Sequence, residues 1–79
     1  MSKATKKIKA LLQLFGFNFA DYARKLEIKP QSLNTKAKAN AYRFDDLLDL
    51  ADLTGTKLAF VDKKGNVVIE FDRQDIDSE

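Results

Sequence analysis

The sequence predicts a mainly α domain of four helices closed by a C-terminal β-hairpin, and two observations carry that prediction. Apolar residues recur at i, i+3, i+4 and i+7 in blocks as far as Thr54, and from Lys57 the apolar period falls to two. Gly16, Gly55 and Gly65 stand where one pattern gives way to another. A chain of 79 residues supports one modest core and no deep cavity between lobes.

In the first helix, expected from Thr5 to Phe15, Ile8, Leu11, Leu12 and Phe15 share a face and Gly16 supplies a left-handed stop. Its first turn carries Lys6 and Lys7, the wrong sign for the positive end of a helix dipole, a cost that a negatively charged partner relieves. The stretch "FNFADYARKLEI" opens a short second helix: Asn18 is the N-cap, Asp21 completes a capping box, and Tyr22, Ala23 and Leu26 form the buried side. After a tight turn at Glu27, Ile28 and Lys29, Pro30 suits the first position of a third helix of about eight residues, where its missing N–H is no loss. Leu33 and Ala37 point inward, and Gln31, Ser32, Asn34 and Thr35 mostly outward. Two short helices around such a turn have helix-turn-helix spacing. The stretch "KAKANAY" has no apolar period and reads as a loop. A fourth helix runs from Phe44 to about Thr54, with Phe44, Leu47, Leu48 and Ala51 on one face, Asp45 and Asp46 in the first turn and Gly55 as the stop. Leu50 and Leu53 fall off its stripe, as flank packing or as contacts to a second subunit. The expected core includes Phe15, Tyr22, Leu33, Phe44 and Leu47.

In "KLAFVDKKGNVVIEF", Leu58 and Phe60 alternate with Ala59 and Val61, and Val67, Ile69 and Phe71 with Val68 and Glu70, around a turn at Lys63 to Asn66. An isolated hairpin is marginal in water, so one face is expected on the helices. The other, with Ala59, Val61 and Val68, is expected to pair with a second copy across an open strand edge, joined by Leu53. The tail "DRQDIDSE" carries −3 and is expected to fray. The chain thus divides into residues 1–56, a helical binding unit, residues 57–71, a dimerisation hairpin, and residues 72–79, an acidic tail.

Charge is divided as sharply as pattern. Residues 1–43 hold ten Lys and Arg against two acids, Asp21 and Glu27, for +8; residues 44–79 hold four against ten, for −6. Such a basic half points to a polyanion, nucleic acid first, against the blander reading of a lysine-rich solvated surface. The chain has no cysteine and no histidine, which removes disulfides, thiolate metal sites, the commonest general base and the commonest zinc ligand. No nucleophile–base pair or phosphate-binding glycine loop appears, so an enzyme is not expected, nor a cofactor or a metal. Asp45, Asp46, Asp49 and Asp52 follow the polar face of the fourth helix and read as solvated, not as a metal site. No apolar run reaches the ~20 residues of a membrane span and the start lacks a secretory pattern, so the expected compartment is the cytoplasm.

The order "LLQLFGFNFADYARKLEIKPQSL…FDDLLDLADLTGTKLAF" resembles the Cro/repressor (xenobiotic-response-element) helix-turn-helix proteins of phages and bacteria, over about residues 5 to 60. The resemblance implies a four-helix, lambda-repressor-like domain. It implies a third helix in the major groove of double-stranded DNA, and action as a homodimer on a palindromic operator. Glu27 stands where members often have glycine, so a left-handed turn there either costs about 1 kcal/mol or is avoided by a different turn. Phe19 replaces a glutamine that often touches phosphate, Lys29 a short capping residue, and Thr54 and Thr56 apolar residues, which predicts looser packing at the end of the fourth helix. Gln31 is the first candidate for base contact, with Ser32, Thr35 and, more weakly, Asn34 beside it. No arginine lies on this helix, so the preference leans to A·T. Lys29, Lys36, Lys38, Arg43, Lys6 and Lys7 are the phosphate candidates. The competing expectation is a protein-binding module on the same scaffold, such as an antitoxin or a phage-encoded inhibitor, gripping a protein partner with its hairpin or acidic half.

Overall fold

Four helices and a hairpin follow in the expected order in a computed structural model that describes residues 3–77: α1 (Lys3–Leu14), α2 (Phe19–Lys25), α3 (Pro30–Ala39), α4 (Phe44–Thr54), β1 (Leu58–Val61) and β2 (Val67–Phe71). A one-turn helix, α5 (Gln74–Asp77), comes after them. It replaces the fraying expected for the tail, whose residues 78–79 lie outside the described part. The turn is held at Asp72, whose N–H donates to Asp75 (2.7 Å) and whose carboxylate accepts from Gln74 N–H (2.9 Å). Arg73 then ties it to α4, donating to Asp49 and to Asp52 (3.2 Å).

One device ends all four major helices. An N–H two or three residues past each helix end reaches back five residues: Phe17 to Leu12 (2.9 Å), Ile28 to Ala23 (3.0 Å), Ala41 to Lys36 (2.9 Å) and Thr56 to Ala51 (2.9 Å). Each closure needs a left-handed residue, which is Gly16 (φ 81°), Glu27 (φ 59°), Asn40 (φ 55°) and Gly55 (φ 71°) in turn. Asn40 also explains why α3 runs ten residues, through most of the stretch expected as a loop. Lys36 to Ala39 are good helix formers with no breaker among them, and Ala37 buries against the core.

Ile8, Leu12, Tyr22, Ala23, Leu33 and Leu50 form the core, with Leu11, Phe17, Phe19, Leu26, Ile28, Tyr42 and Leu53 packed around it. Leu50 is therefore core. Leu53, expected at a dimer contact, is half-buried against that cluster. Phe15 and Phe44, expected inside, are 49% and 40% exposed, because α1 closes one residue earlier than its apolar stripe and Phe44 turns toward the hairpin. Two polar threads cross this core. The Tyr22 hydroxyl donates to the Asp46 carbonyl (2.7 Å), joining α2 to α4. The Thr5 hydroxyl donates to the Ala37 carbonyl (3.3 Å) and lies 2.6 Å from the Tyr42 hydroxyl, joining α1 to the end of α3. Thr54 is buried too, and it donates to Leu50 C=O (2.9 Å) beside the Thr56 hydroxyl (2.7 Å), so that end is hydrogen-bonded where looser packing was expected.

The hairpin pairs Leu58 with Phe71, Ala59 with Glu70 and Phe60 with Ile69, then shifts register so that Val61 meets Val67. Asp62 organises the turn, accepting from Lys64 N–H (2.9 Å) and Asn66 N–H (3.0 Å), with Gly65 left-handed at φ 91°. The face that carries Leu58, Phe60, Ile69 and Phe71 meets α4 only at its base, where Phe71 stands edge-on to Phe44 at 5.4 Å. An open apolar groove of about 450 Å³ remains between them, lined by Phe44, Leu47, Leu58, Ala59, Phe60 and Phe71. The expectation that one face lies on the helices therefore holds at the base alone: Phe60 is 67% and Ile69 53% exposed.

Candidate nucleic-acid interface

α3 sorts its side chains by angle. At 100° per residue, Leu33 and Ala37 fix the buried direction, and Gln31 and Thr35 fall opposite them. Asn34 and Lys38 fall on one flank, Ser32 and Lys36 on the other. Gln31, Ser32, Asn34 and Thr35 are all exposed. Gln31 is in the first turn, behind Pro30, which starts the helix without an N–H to satisfy. Thr35 gives its hydroxyl proton to the Gln31 carbonyl (3.1 Å), so toward a ligand it presents acceptor lone pairs and a methyl group.

The flanks meet different neighbours. On the α4 side, Lys36 donates to Asp46 Oδ2 at 2.9 Å, and the same oxygen accepts the Arg43 backbone N–H at 2.9 Å. Asp46 is 7% exposed. Three of the four aspartates expected as a solvated face thus have partners, Asp46 on Lys36 and Asp49 and Asp52 on Arg73, and of these only Asp52 is exposed. For Lys36, the expected phosphate contact competes with an ion pair that is shielded from water. On the α1 side, Asn34, Ala37 and Lys38 line a cleft of about 170 Å³ together with Lys9.

Of the other phosphate candidates, Lys6, Lys7, Lys29, Lys38 and Arg43 are exposed, and none forms a side-chain ion pair among the described residues. Lys29 precedes α3 with no side-chain cap, so its ammonium is uncommitted at the end where Gln31 lies. Lys6 and Lys7 point away from the buried Thr5, Ile8 and Leu12, whereas Lys9 sits on the edge of that stripe. Lys9 was not among the sequence candidates. Its signal was the spacing from Thr5 and Ile8, visible only once Thr5 is known to be buried.

The Tyr22 phenol, fully buried, is pushed well above its ordinary pKa, by desolvation first and then by the nearby Asp46 charge. It donates inward to α4 and does not belong to the exposed surface. The chain was compared with known protein families, with curated proteins and with solved structures, and no match was found in any of the three.

Proposed function

We propose that this chain is a sequence-specific DNA-binding regulator of the helix-turn-helix, Cro/repressor type, a repressor or autoregulator that occupies its operator as a homodimer. It is read as a binding protein and not as an enzyme. The observation that carries the reading is the make-up of α3: its outward crest is Gln31 and Thr35, and free cations flank it at Lys29 and Lys38. A glutamine at the start of a groove-inserted helix pairs with adenine N6 and N7, worth roughly 1 to 3 kcal/mol of discrimination. Ser32 reaches neighbouring base edges or phosphate oxygens, and Thr35, its proton held by the Gln31 carbonyl, accepts from a base amino group or packs its methyl on a base. The excess of +8 over residues 1–43 supplies the sequence-independent attraction. With Lys36 held by Asp46, about four phosphates are neutralised per subunit and about eight per dimer, and the logarithm of the dimer's affinity falls with that of salt at a slope of about −7.

Dimerisation falls to the hairpin. Val61 and Val68, and on the face toward α4 Phe60 and Ile69, are each more than half exposed, and a second copy offers the same strand edge and the same apolar surfaces. Ala59 is half-buried and lines the groove toward α4. A C2 pairing there sets two α3 helices at half-sites about 34 Å apart.

The test is a salt titration on a pool of random duplex DNA, wild type beside Gln31→Ala, with the bound pool sequenced. An enriched palindrome in the wild type, blurred at one position per half-site in the variant, is the expected result. Weak binding with no enriched sequence sinks the reading. The same exposed hairpin favours the second reading, a module that grips a protein partner. Lys29→Glu with Lys38→Glu separates the two: it abolishes function under the first and spares it under the second. Reversal at Lys36 is not a clean test, since it also breaks the pair with Asp46.

A further inference from the structure

Lys9 lines two clefts at once. One holds Asn34, Ala37 and Lys38 of α3. The other holds Gln13 of α1 and Phe17, Asn18 and Phe19 at the entry to α2. The Lys9 ammonium lies 4.8 Å from the centroid of the Phe19 ring, a cation–π contact that fixes where the charge sits. No carboxylate pairs with Lys9 or Lys38 among the described residues, and neither α1 nor α3 contains an acid. The α3 cleft is far below the ~300 to 1,000 Å³ of small-molecule pockets, so it takes a group and not a whole molecule.

We propose that Lys9, Lys38 and Asn34 form a phosphate notch between α1 and α3 that takes one phosphodiester of the DNA backbone. Two ammonium groups supply charge, and the Asn34 amide donates a hydrogen bond to a phosphate oxygen. Phe19 holds Lys9 in place from the far side. The inference rests on the DNA-binding reading and changes two assignments within it. Lys9 joins the binding surface, and Asn34, on the flank that faces α1, contacts backbone and not bases. The notch lies beside the crest of Gln31 and Thr35, so it fixes how deep and at what angle that crest enters the groove.

The test compares wild type, Lys9→Met, Asn34→Ala and, as a control in the hairpin turn, Lys63→Met, on duplex DNA across a salt series, with the bound pool sequenced. Lys9→Met keeps the apolar stem on the Phe19 ring and removes the charge. It is expected to flatten the salt slope by about 0.9 per subunit and to weaken binding about eightfold per subunit at 0.1 M salt, equally on all sequences. Asn34→Ala weakens binding without blurring any base position, and Lys63→Met leaves the slope unchanged. If Lys9→Met keeps the wild-type slope, or Lys63→Met loses as much, or Asn34→Ala blurs a position, the notch is overturned while the DNA-binding reading stands. Absence of salt-dependent binding by the wild type overturns both.

Discussion

Glu27 is the one helix-ending residue whose side chain works against its backbone. At φ 59° it does the task that Gly16 and Gly55 do freely, and unlike Asn40 it belongs to no class that tolerates the left-handed region well. Glu27→Gly should therefore stabilise the fold by about 1 kcal/mol, seen as a higher urea midpoint with an unchanged m-value. A lower midpoint would mean that the Glu27 side chain makes a compensating contact. Tyr22 carries the other residue-scale prediction. Its folded pKa is raised, so the folded state keeps the proton after the unfolded chain has lost it. The contribution is fully present below the unfolded value of ~10 and declines as pH rises beyond that. Tyr22→Phe should cost about 1 to 2 kcal/mol at neutral pH, for the lost bond to the Asp46 carbonyl. It should also remove part of the alkaline fall in stability, so wild-type and variant urea midpoints keep their separation up to about pH 9 and converge as pH rises above about 10. Glycine stops were legible in the sequence because glycine has one conformational use at a helix end. The buried roles of Thr5 and Asp46 were not, because a polar side chain gives no sign of where its partners lie.

Among the elements, the bounds of α4 are legible in the sequence, since acidic first turn, stripe and glycine all agree. α3 was cut short because its second half has only Ala37 to mark a face, and three small or basic residues around it look like a linker. The hairpin was found from its alternation, yet which face it buries depends on how far α4 reaches under it, and no local pattern records that. What locks α3 to α4 is Lys36 on Asp46, half-shielded, with Lys36 27% and Asp46 10% exposed at the side chain. A double-mutant cycle with Lys36→Met and Asp46→Asn, followed by urea unfolding, should give a coupling of about 1 to 2 kcal/mol, between the values for exposed and fully buried pairs. A coupling near zero would free Lys36 for phosphate and steepen the expected salt slope by about one per subunit.

At the scale of the whole molecule, the two halves carry opposite charge and different kinds of exposed surface. The basic half exposes amides and ammonium groups, and the other exposes apolar strand residues above an acidic helix. Under the proposed DNA-binding reading, acids near the duplex repel it, so the acidic half belongs away from the DNA and its apolar hairpin is left free to meet a second copy. Like charge on two acidic halves would oppose that meeting, so the proposed dimer should be stronger at high salt while the proposed DNA binding becomes weaker. Sedimentation across a concentration series should show a monomer–dimer equilibrium that shifts toward dimer from 0.05 to 0.5 M salt. Val68→Lys, on a residue 67% exposed, should leave a folded monomer with unchanged helical signal. On DNA, that monomer should lose the palindrome and keep about half the salt slope, since one subunit's phosphates remain. A Val68→Lys protein that still sediments as a dimer would move the contact elsewhere. One that is monomeric yet still selects the palindrome would show that each subunit finds its half-site unaided.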